Sequence, residues 1–406
     1  MKFNENPLKL LDDVSWRGDH LYSVTLKDAL VHVNELIDSP SSDDHQQAYN
    51  QLVRMQEMPM AEQQRLRMWH AKGRAAMAIS KLAEADDALL NALDIALPYA
   101  SFHELDTPMA TEAAIACVEL AQLHQRVQHW LGRYNDATES LKIVLDLLKQ
   151  IPAEARTAPL QSLELRALKS LADYTFMLGL YDQSLAYLEQ AELFLMTSAD
   201  PIYEKACILW TRALLYRWRG EADRALWLAQ ESAEIFARIE PNPNIKRDES
   251  ARARVDLAVV ECACDAANYF ATGKAFKAYR AVARAYLQEA LSLTAAADNL
   301  AARGLAALAQ IRFERLTTPI GIQRHHLSRV ERIKGEIHAA ERTNDLAWML
   351  AAYTEMGREF EAIGDNPAAK KWYEIVTDRL RGSEMTSMGV WASRGLRRLS
   401  SQGAAL

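Results

Sequence analysis

Along most of the chain, apolar residues recur every three or four positions, the spacing of one face of an α-helix. Residues 353–376, YTEMGREFEAIGDNPAAKKWYEIV, show the pattern in full. Tyr353, Met356, Gly357 and Phe360 share one helix face, Gly364 marks a turn, and Ala369, Tyr373 and Val376 share a face of a second helix. Asn366 followed by Pro367 reads as an N-cap and a first-turn proline for that second helix. Two helices joined by so short a turn pack antiparallel. Small residues at Gly357 and Ala369 let the two backbones approach closely.

The same skeleton repeats. Around Gly179 stand Leu168, Leu171 and Ala172, then Tyr181, Ser184, Leu188 and Ala191. Around Gly220 stand Leu209, Ala213 and Tyr216, then Ala225, Ala229 and Ser232. Gly273 is flanked by Ala266 and Tyr269, then Ala278, Val282 and Ala285. Near Gly132 only the second helix is clear, and a weaker copy turns at Ala83. These positions lie roughly 40–50 residues apart, except that the interval from 273 to 364 is about twice as long and leaves room for a degenerate copy near 300–340.

This skeleton resembles the tetratricopeptide repeat family, with LKSLADYTFMLGLYDQSLAYLEQA and the 353–376 segment as the best matches. The likeness covers roughly residues 60–380. The family period is about 34 residues. The longer spacing here implies longer helices, similar to the repeat arrays of bacterial signal-responsive regulators. The fold expected is all-α, a right-handed superhelical solenoid of antiparallel helix pairs, with neighbours stacked because each pair leaves an apolar face uncovered.

Three regions are expected. Residues 1–58 form an N-terminal helical cap or small helical element, residues 59–383 the repeat array, and residues 384–406 a capping helix with a frayed tail. In the first region Thr25, with Asp28 three residues on, reads as a helix start, and SPSSDD at 39–44 as a loop. At the other end MGVWASRGLRRLSS reads as an amphipathic helix carrying Arg394, Arg397 and Arg398. The clearest internal loops are EPNPN at 240–244 and TTPIG at 317–321.

Composition agrees with an all-helical reading. Half of the 406 residues are hydrophobic and a quarter charged, while only 15 are Gly and 12 Pro. The net charge of −7 argues against a surface that coats nucleic acid. No apolar run approaches the roughly 18 residues of a membrane span. The N-terminal MKFNENPLKLLDDV has acids where a signal peptide has its apolar stretch, so the expected compartment is the cytoplasm. Cys117, Cys207, Cys262 and Cys264 are scattered in apolar helical contexts and read as reduced, buried thiols.

Motifs for chemistry fail on spacing. ATGKA at 271–275 has a Gly-Lys pair, but Asn268 and Ala275 stand where a phosphate loop needs glycine and Ser/Thr. FHELD at 102–106 starts like a zinc-protease helix, yet Thr107 takes the place of the second histidine. His325 and His326 diverge by about 100° on a helix, a poor pair of metal ligands. With Arg324, Arg329, Arg332 and Lys334 they make either a local basic surface or, the preferred reading, a solvated face shared with Glu331 and Glu336. No cofactor or metal is expected, and the chain is not expected to be an enzyme.

The resemblance implies ligands along the concave face, lined by the first helix of each repeat. Carried over position by position, the inward residues are Gln122, Arg126, His129 and Trp130 before Gly132, and Arg166, Lys169, Asp173, Phe176 and Met177 before Gly179. Trp210, Leu214, Arg217 and Trp218 precede Gly220, and Thr354, Arg358 and Glu361 precede Gly364. The middle of this set is basic and aromatic, which suits a peptide with carboxylates and apolar anchors. Trp210 and Trp218 read equally well as groove or core, while Trp227, Trp348 and Trp372 read as core. Some family members clamp a C-terminal carboxylate with Lys and Asn. Here Lys169, Asp173, Trp210 and Leu214 occupy the corresponding places, and the asparagine is absent. The expected function is an adaptor or scaffold holding a peptide or partner helix. The alternative is a ligand- or peptide-responsive sensor whose superhelix changes shape. Self-association through the open ends is allowed by this architecture.

Overall fold

In the computed structural model, the described residues are 20–39, 41–100, 108–150, 158–197, 201–239, 247–270, 273–296, 300–318, 323–343 and 345–403. They are helices joined by short turns, with no strand among them. Packing divides the chain into two compact units, one of residues 2–174 and 197–199, the other of residues 175–196 and 200–406.

The first unit holds α1 (His20–Asp38), α2 (Ser42–Met55), α3 (Glu62–Ala78), α4 (Leu82–Ala96), α5 (Pro108–Trp130), α6 (Tyr134–Gln150) and most of α7 (Ala158–Met177). Helices α1 and α2 both pack on α3. Two sequence expectations move here. Thr25 lies inside α1 rather than at its start, because nothing in LYSVTLKD breaks a helix. Ser41 caps α2, its hydroxyl accepting from the Asp44 amide, so the expected 39–44 loop is cut short by a helix.

The second unit continues with α8 (Tyr181–Leu193), α9 (Pro201–Arg219), α10 (Ala222–Arg238), α11 (Arg247–Phe270) and α12 (Gly273–Ala296). It is completed by α13 (Leu300–Thr317), α14 (Gln323–Thr343), α15 (Leu346–Ala362), α16 (Asn366–Arg379) and α17 (Val390–Gly403), the last preceded by a short 3₁₀ turn at Thr386–Gly389. The degenerate copy expected near 300–340 is the α13/α14 pair.

One turn geometry recurs. At Gly364 the glycine amide donates to Glu361 O at 3.1 Å and the Asp365 amide to Phe360 O at 3.0 Å, with φ +81° at the glycine. This is a Schellman closure, which needs a left-handed residue just past the helix. Gly132, Gly179 and Gly220 repeat it, and Gly273 also has positive φ. The turn expected at Ala83 sits three residues earlier. Ser80 adopts φ +61°, with its amide on Met77 O and that of Lys81 on Ala76 O, and Ala83 lies within α4. A serine in the glycine's place hid this turn from the pattern. The start of α16 shifts by one residue: Asp365, not Asn366, is the N-cap, its carboxylate accepting from the Ala368 amide at 3.1 Å.

Small residues set the helix spacing in the core. A Cβ on Gly357 would come within 2.5 Å of the Tyr373 ring, and one on Gly395 would also overlap that ring. Tyr373 is fully buried between these two notches, joining α16 to α15 and α17. Trp348 is buried against Gly304 in the same way, as its core assignment requires. Trp372 is half-buried. Trp227 is 62% exposed, which corrects its assignment to the core. Its helix α10 turns Leu226 and Leu228 inward instead, and the residue between them faces out. Cys117, Cys262 and Cys264 are buried, Cys207 half-buried, and all four are free thiols. EPNPN at 240–244 and FHELD at 102–106 lie outside the described residues, as does part of TTPIG.

Candidate functional site

The second unit carries a charged cluster that the sequence pattern did not assemble. Five helices supply it at helical spacings: Arg217 from α9, Glu261 and Asp265 from α11, Arg312 and Arg315 from α13, His326 and Arg329 from α14, and Glu355, Arg358 and Glu359 from α15. Residues three or four apart lie on one helix face, so α11, α13 and α14 each turn a charged pair, and α15 three charged residues, toward the same space as Arg217.

Arg217 is buried and forks onto two carboxylates, Nη1 to Glu261 Oε2 at 2.5 Å and Nε to Asp265 Oδ2 at 2.7 Å. Arg312 Nε donates to Glu355 Oε1 at 3.0 Å, and its Nη1 lies 3.0 Å from Glu261 Oε1. Glu355 also accepts from Arg315 Nη2 at 2.6 Å and Arg358 Nη1 at 2.7 Å. Glu359, fully buried, receives Arg329 Nη2 at 2.7 Å, Arg315 Nη1 at 3.3 Å and His326 Nδ1 at 3.1 Å. The solvated face expected around His325 and His326 therefore holds only in part. Arg324 and His325 are exposed, whereas His326 and Arg329 turn inward to satisfy Glu359.

Burial by itself pushes the carboxyl pKa of Glu355 up, but Arg312, Arg358 and Arg315 outweigh it and hold the group well below the ordinary carboxylate range. Burial likewise works against Asp265, and Arg217 and Arg312 bring its pKa down. Arg358 goes the other way: burial lowers its pKa, and the pull of Glu355 does not fully restore it.

The C-terminal segment closes over this cluster. The indole N–H of Trp218 donates to Ser387 O at 2.7 Å, Arg394 donates to Trp218 O, and Ser387 Oγ approaches Met177 Sδ at 3.7 Å. The Trp218 ring meets Phe176 edge-on at 5.2 Å and Trp391 at 6.0 Å. Arg217, Arg358 and Arg394 each place a guanidinium about 5 Å from the Trp391 ring centroid, at 5.0, 4.9 and 4.9 Å. Arg398 forks onto Glu361 at 2.8 and 2.9 Å, and Tyr373 OH donates to the same carboxylate at 2.6 Å. Between α17 and helices α9, α11, α13 and α15 lies a pocket of about 580 Å³, with Arg217, Arg312, Arg315, Arg358, Arg394 and Arg398 in its wall against Asp265 and Glu361.

Of the residues predicted to line a groove, the structure brings together Phe176, Met177, Arg217, Trp218, Arg358 and Glu361 around this segment. Trp210 packs against the apolar core of α9–α13, Leu214 is half-buried, and Thr354 is buried with its hydroxyl on Leu350 O. The others lie in the first unit. There His129 is half-buried and stacked 5.2 Å from Tyr174, and burial lowers its pKa. Gln122 Nε2 reaches Leu163 O at 3.4 Å. Arg126, Arg166 and Lys169 are half-buried and Asp173 is exposed, while the Trp130 side chain lies outside the described residues. Glu261, Asp265, Arg312, Arg315, Glu355 and Glu359 belong to no motif that the sequence displays. The available signal was charge at spacing three or four inside otherwise apolar helices, which looks the same as an ordinary solvated stripe until the neighbours are placed.

Among the described residues, no group of three or more His, Cys, Asp or Glu could hold a metal ion, and no helix is long and apolar enough to cross a membrane.

No protein-family model matches the sequence, and no curated protein matches it. Solved structures do match the fold. The apo form of the quorum sensor NprR from B. thuringiensis aligns over 91% of both chains at 12% identity, with a TM-score of 0.62. The apo form of RapI aligns over 96% of this chain and 90% of its own, again at 12% identity and 0.62. A Rap protein complexed with competence and sporulation factor aligns over 94% of this chain and 99% of its own at 13% identity and 0.50. The class is thereby set: an all-α solenoid of TPR-like helical repeats.

Proposed function

We propose that the protein is a binding module that receives a peptide or partner segment on the inner helix faces of its repeats, and that it works as a peptide-responsive regulator rather than as an enzyme. The observation that carries this reading is the arginine-walled pocket beside Trp391. It offers forked donors for an acidic group and aromatic area for an apolar anchor in one place. The fold likeness to a quorum sensor and to a Rap protein crystallised with a signalling factor supports the responsive reading over a static scaffold. Long helices at longer-than-usual spacing fit the same class of bacterial regulators.

The test is affinity capture from the source cell with the wild type and an Arg358→Gln/Arg394→Gln variant, both checked for folding by circular dichroism, with bound peptides and proteins identified by mass spectrometry. A ligand held by the wild type and lost from the variant supports the pocket. Identical ligands on both proteins exclude it as the site.

A further inference from the structure

We infer that the pocket between α17 and helices α9, α11, α13 and α15 is a binding site for a compact dianion, and that the dianion fastens the C-terminal segment to the rest of the second unit. The inference rests on the pocket being a ligand site, and it adds what the ligand's charged end is and what that end moves.

The cluster and pocket together contain the guanidiniums of Arg217, Arg312, Arg315, Arg329, Arg358, Arg394 and Arg398. Against them stand the carboxylates of Glu261, Asp265, Glu355, Glu359 and Glu361. Two positive charges are left over, in a region where burial weakens the screening that water would give. The surplus is not spread evenly. Glu355 and Glu359 are already saturated by the deeper arginines, while Arg358 and Arg394 converge on Trp391 at the pocket. Arg394 donates to the Trp218 carbonyl and forms no ion pair with a carboxylate among the described residues, and burial with Arg397 and Arg217 nearby lowers its pKa.

A buried donor points to the same need. The indole N–H of Trp391, in the pocket wall, has no hydrogen-bond acceptor, and Arg312 Nη1 there has only the ion pair with Glu261 Oε1 at 3.0 Å. A buried donor without a partner costs free energy, so an oxygen anion placed here gains both hydrogen bonds and charge.

The pocket wall is shared. Arg217, Arg312 and Arg358 come from α9, α13 and α15, whereas Trp391, Arg394 and Arg398 come from α17. Like charges on the two sides repel, and an anion between them turns that repulsion into a bridge. A monoanion cancels half of the surplus and a dianion cancels it. Phosphate groups and closely paired carboxylates share this chemistry, and both suit forked guanidinium donors.

The experiment uses the full chain. Hydrogen–deuterium exchange is followed over 384–401 with inorganic phosphate, with succinate, and with sodium chloride at matched ionic strength, and binding is measured in parallel by calorimetry. The expected result is binding of at least one dianion with slower exchange of 384–401 and no effect of chloride. Protection by phosphate alone identifies a phosphate-class ligand, and protection by succinate as well identifies paired carboxylates. In Arg394→Gln and, separately, Arg358→Gln, affinity falls about tenfold or more and the protection disappears. Binding without protection of 384–401 overturns the fastening while leaving the pocket a ligand site. No binding of either anion overturns the dianion, and the capture experiment above then decides independently whether the pocket binds a peptide.

Discussion

Glu355→Gln is the most informative single change, because it removes one negative charge and almost no volume. The carboxylate is 1% exposed and serves Arg312, Arg315 and Arg358 together. A charge-assisted hydrogen bond contributes about 1.5–3 kcal/mol net, so three would sum to roughly 5–9 kcal/mol. That sum is an upper bound. The amide keeps one acceptor, the three contacts are not additive, and Arg312 and Arg315 retain Glu261 and Glu359. Breaking a buried pair costs about 3–5 kcal/mol because an uncompensated charge stays behind, and this is the expected loss. At roughly 2–4 °C per kcal/mol it lowers the melting temperature by about 6–20 °C.

The same group sets a pH dependence. The folded carboxyl has a pKa well below its ordinary 4.5, so its contribution is complete above that value and is lost as pH falls toward the folded pKa. The gap between wild type and variant should therefore be flat from about pH 5 to 8 and close only below about 4.5. The assay is urea unfolding followed by tryptophan fluorescence across this range, with Glu331→Gln as control. Glu331 pairs with Lys334 at the surface, at 71% and 57% exposure, and its loss should cost less than about 1 kcal/mol. A Glu355→Gln protein within about 1 kcal/mol of wild type would refute the view that these arginines depend on that charge.

Four further outcomes are expected. Arg217→Glu should prevent folding of the second unit, since it sets a buried carboxylate beside the half-buried Glu261 and Asp265; far-ultraviolet circular dichroism and gel filtration check this. Gly357→Ala and Gly395→Ala should each cost about 1–3 kcal/mol in denaturant unfolding, because both crowd the buried ring of Tyr373. Gly364→Ala should cost about 1–2 kcal/mol from its φ of +81° alone, as nothing stands in the way of the methyl group. Asp256 is buried with one oxygen unbonded, and burial, only partly countered by Arg252, raises its pKa from 3.8 to about 7. Between these values the folded state holds a proton that the unfolded chain has released, so stability falls as pH rises from about 4 to about 7 and stays low above that. Asp256→Asn should therefore be more stable than wild type at about pH 8, by roughly 2–4 kcal/mol, and equal to it near pH 4, as chemical unfolding at the two pH values will show.

The helices, their pairing and most of the turns are legible in the amino-acid order alone. Apolar spacing of three and four fixes a helix face, and a left-handed closure after a helix selects glycine at 132, 179, 220 and 364 so strongly that the position can be read directly. Where another residue accepts the same conformation, as Ser80 does, the signal vanishes although the turn does not. The site is different, because it exists only once the helices are stacked. Arg217, Trp218 and Arg358 could be named from their place in the repeat, but their partners could not. Glu261 and Asp265, Arg312 and Arg315, and Glu355 and Glu359 are separated by 40 or more residues, and each pair alone looks like a solvated stripe. Whether a charge faces water or another charge depends on which helix is stacked beside it. It also depends on the return of α17, which brings Trp391 and Arg394 to Trp218 across more than 170 residues. Local periodicity carries no information about either.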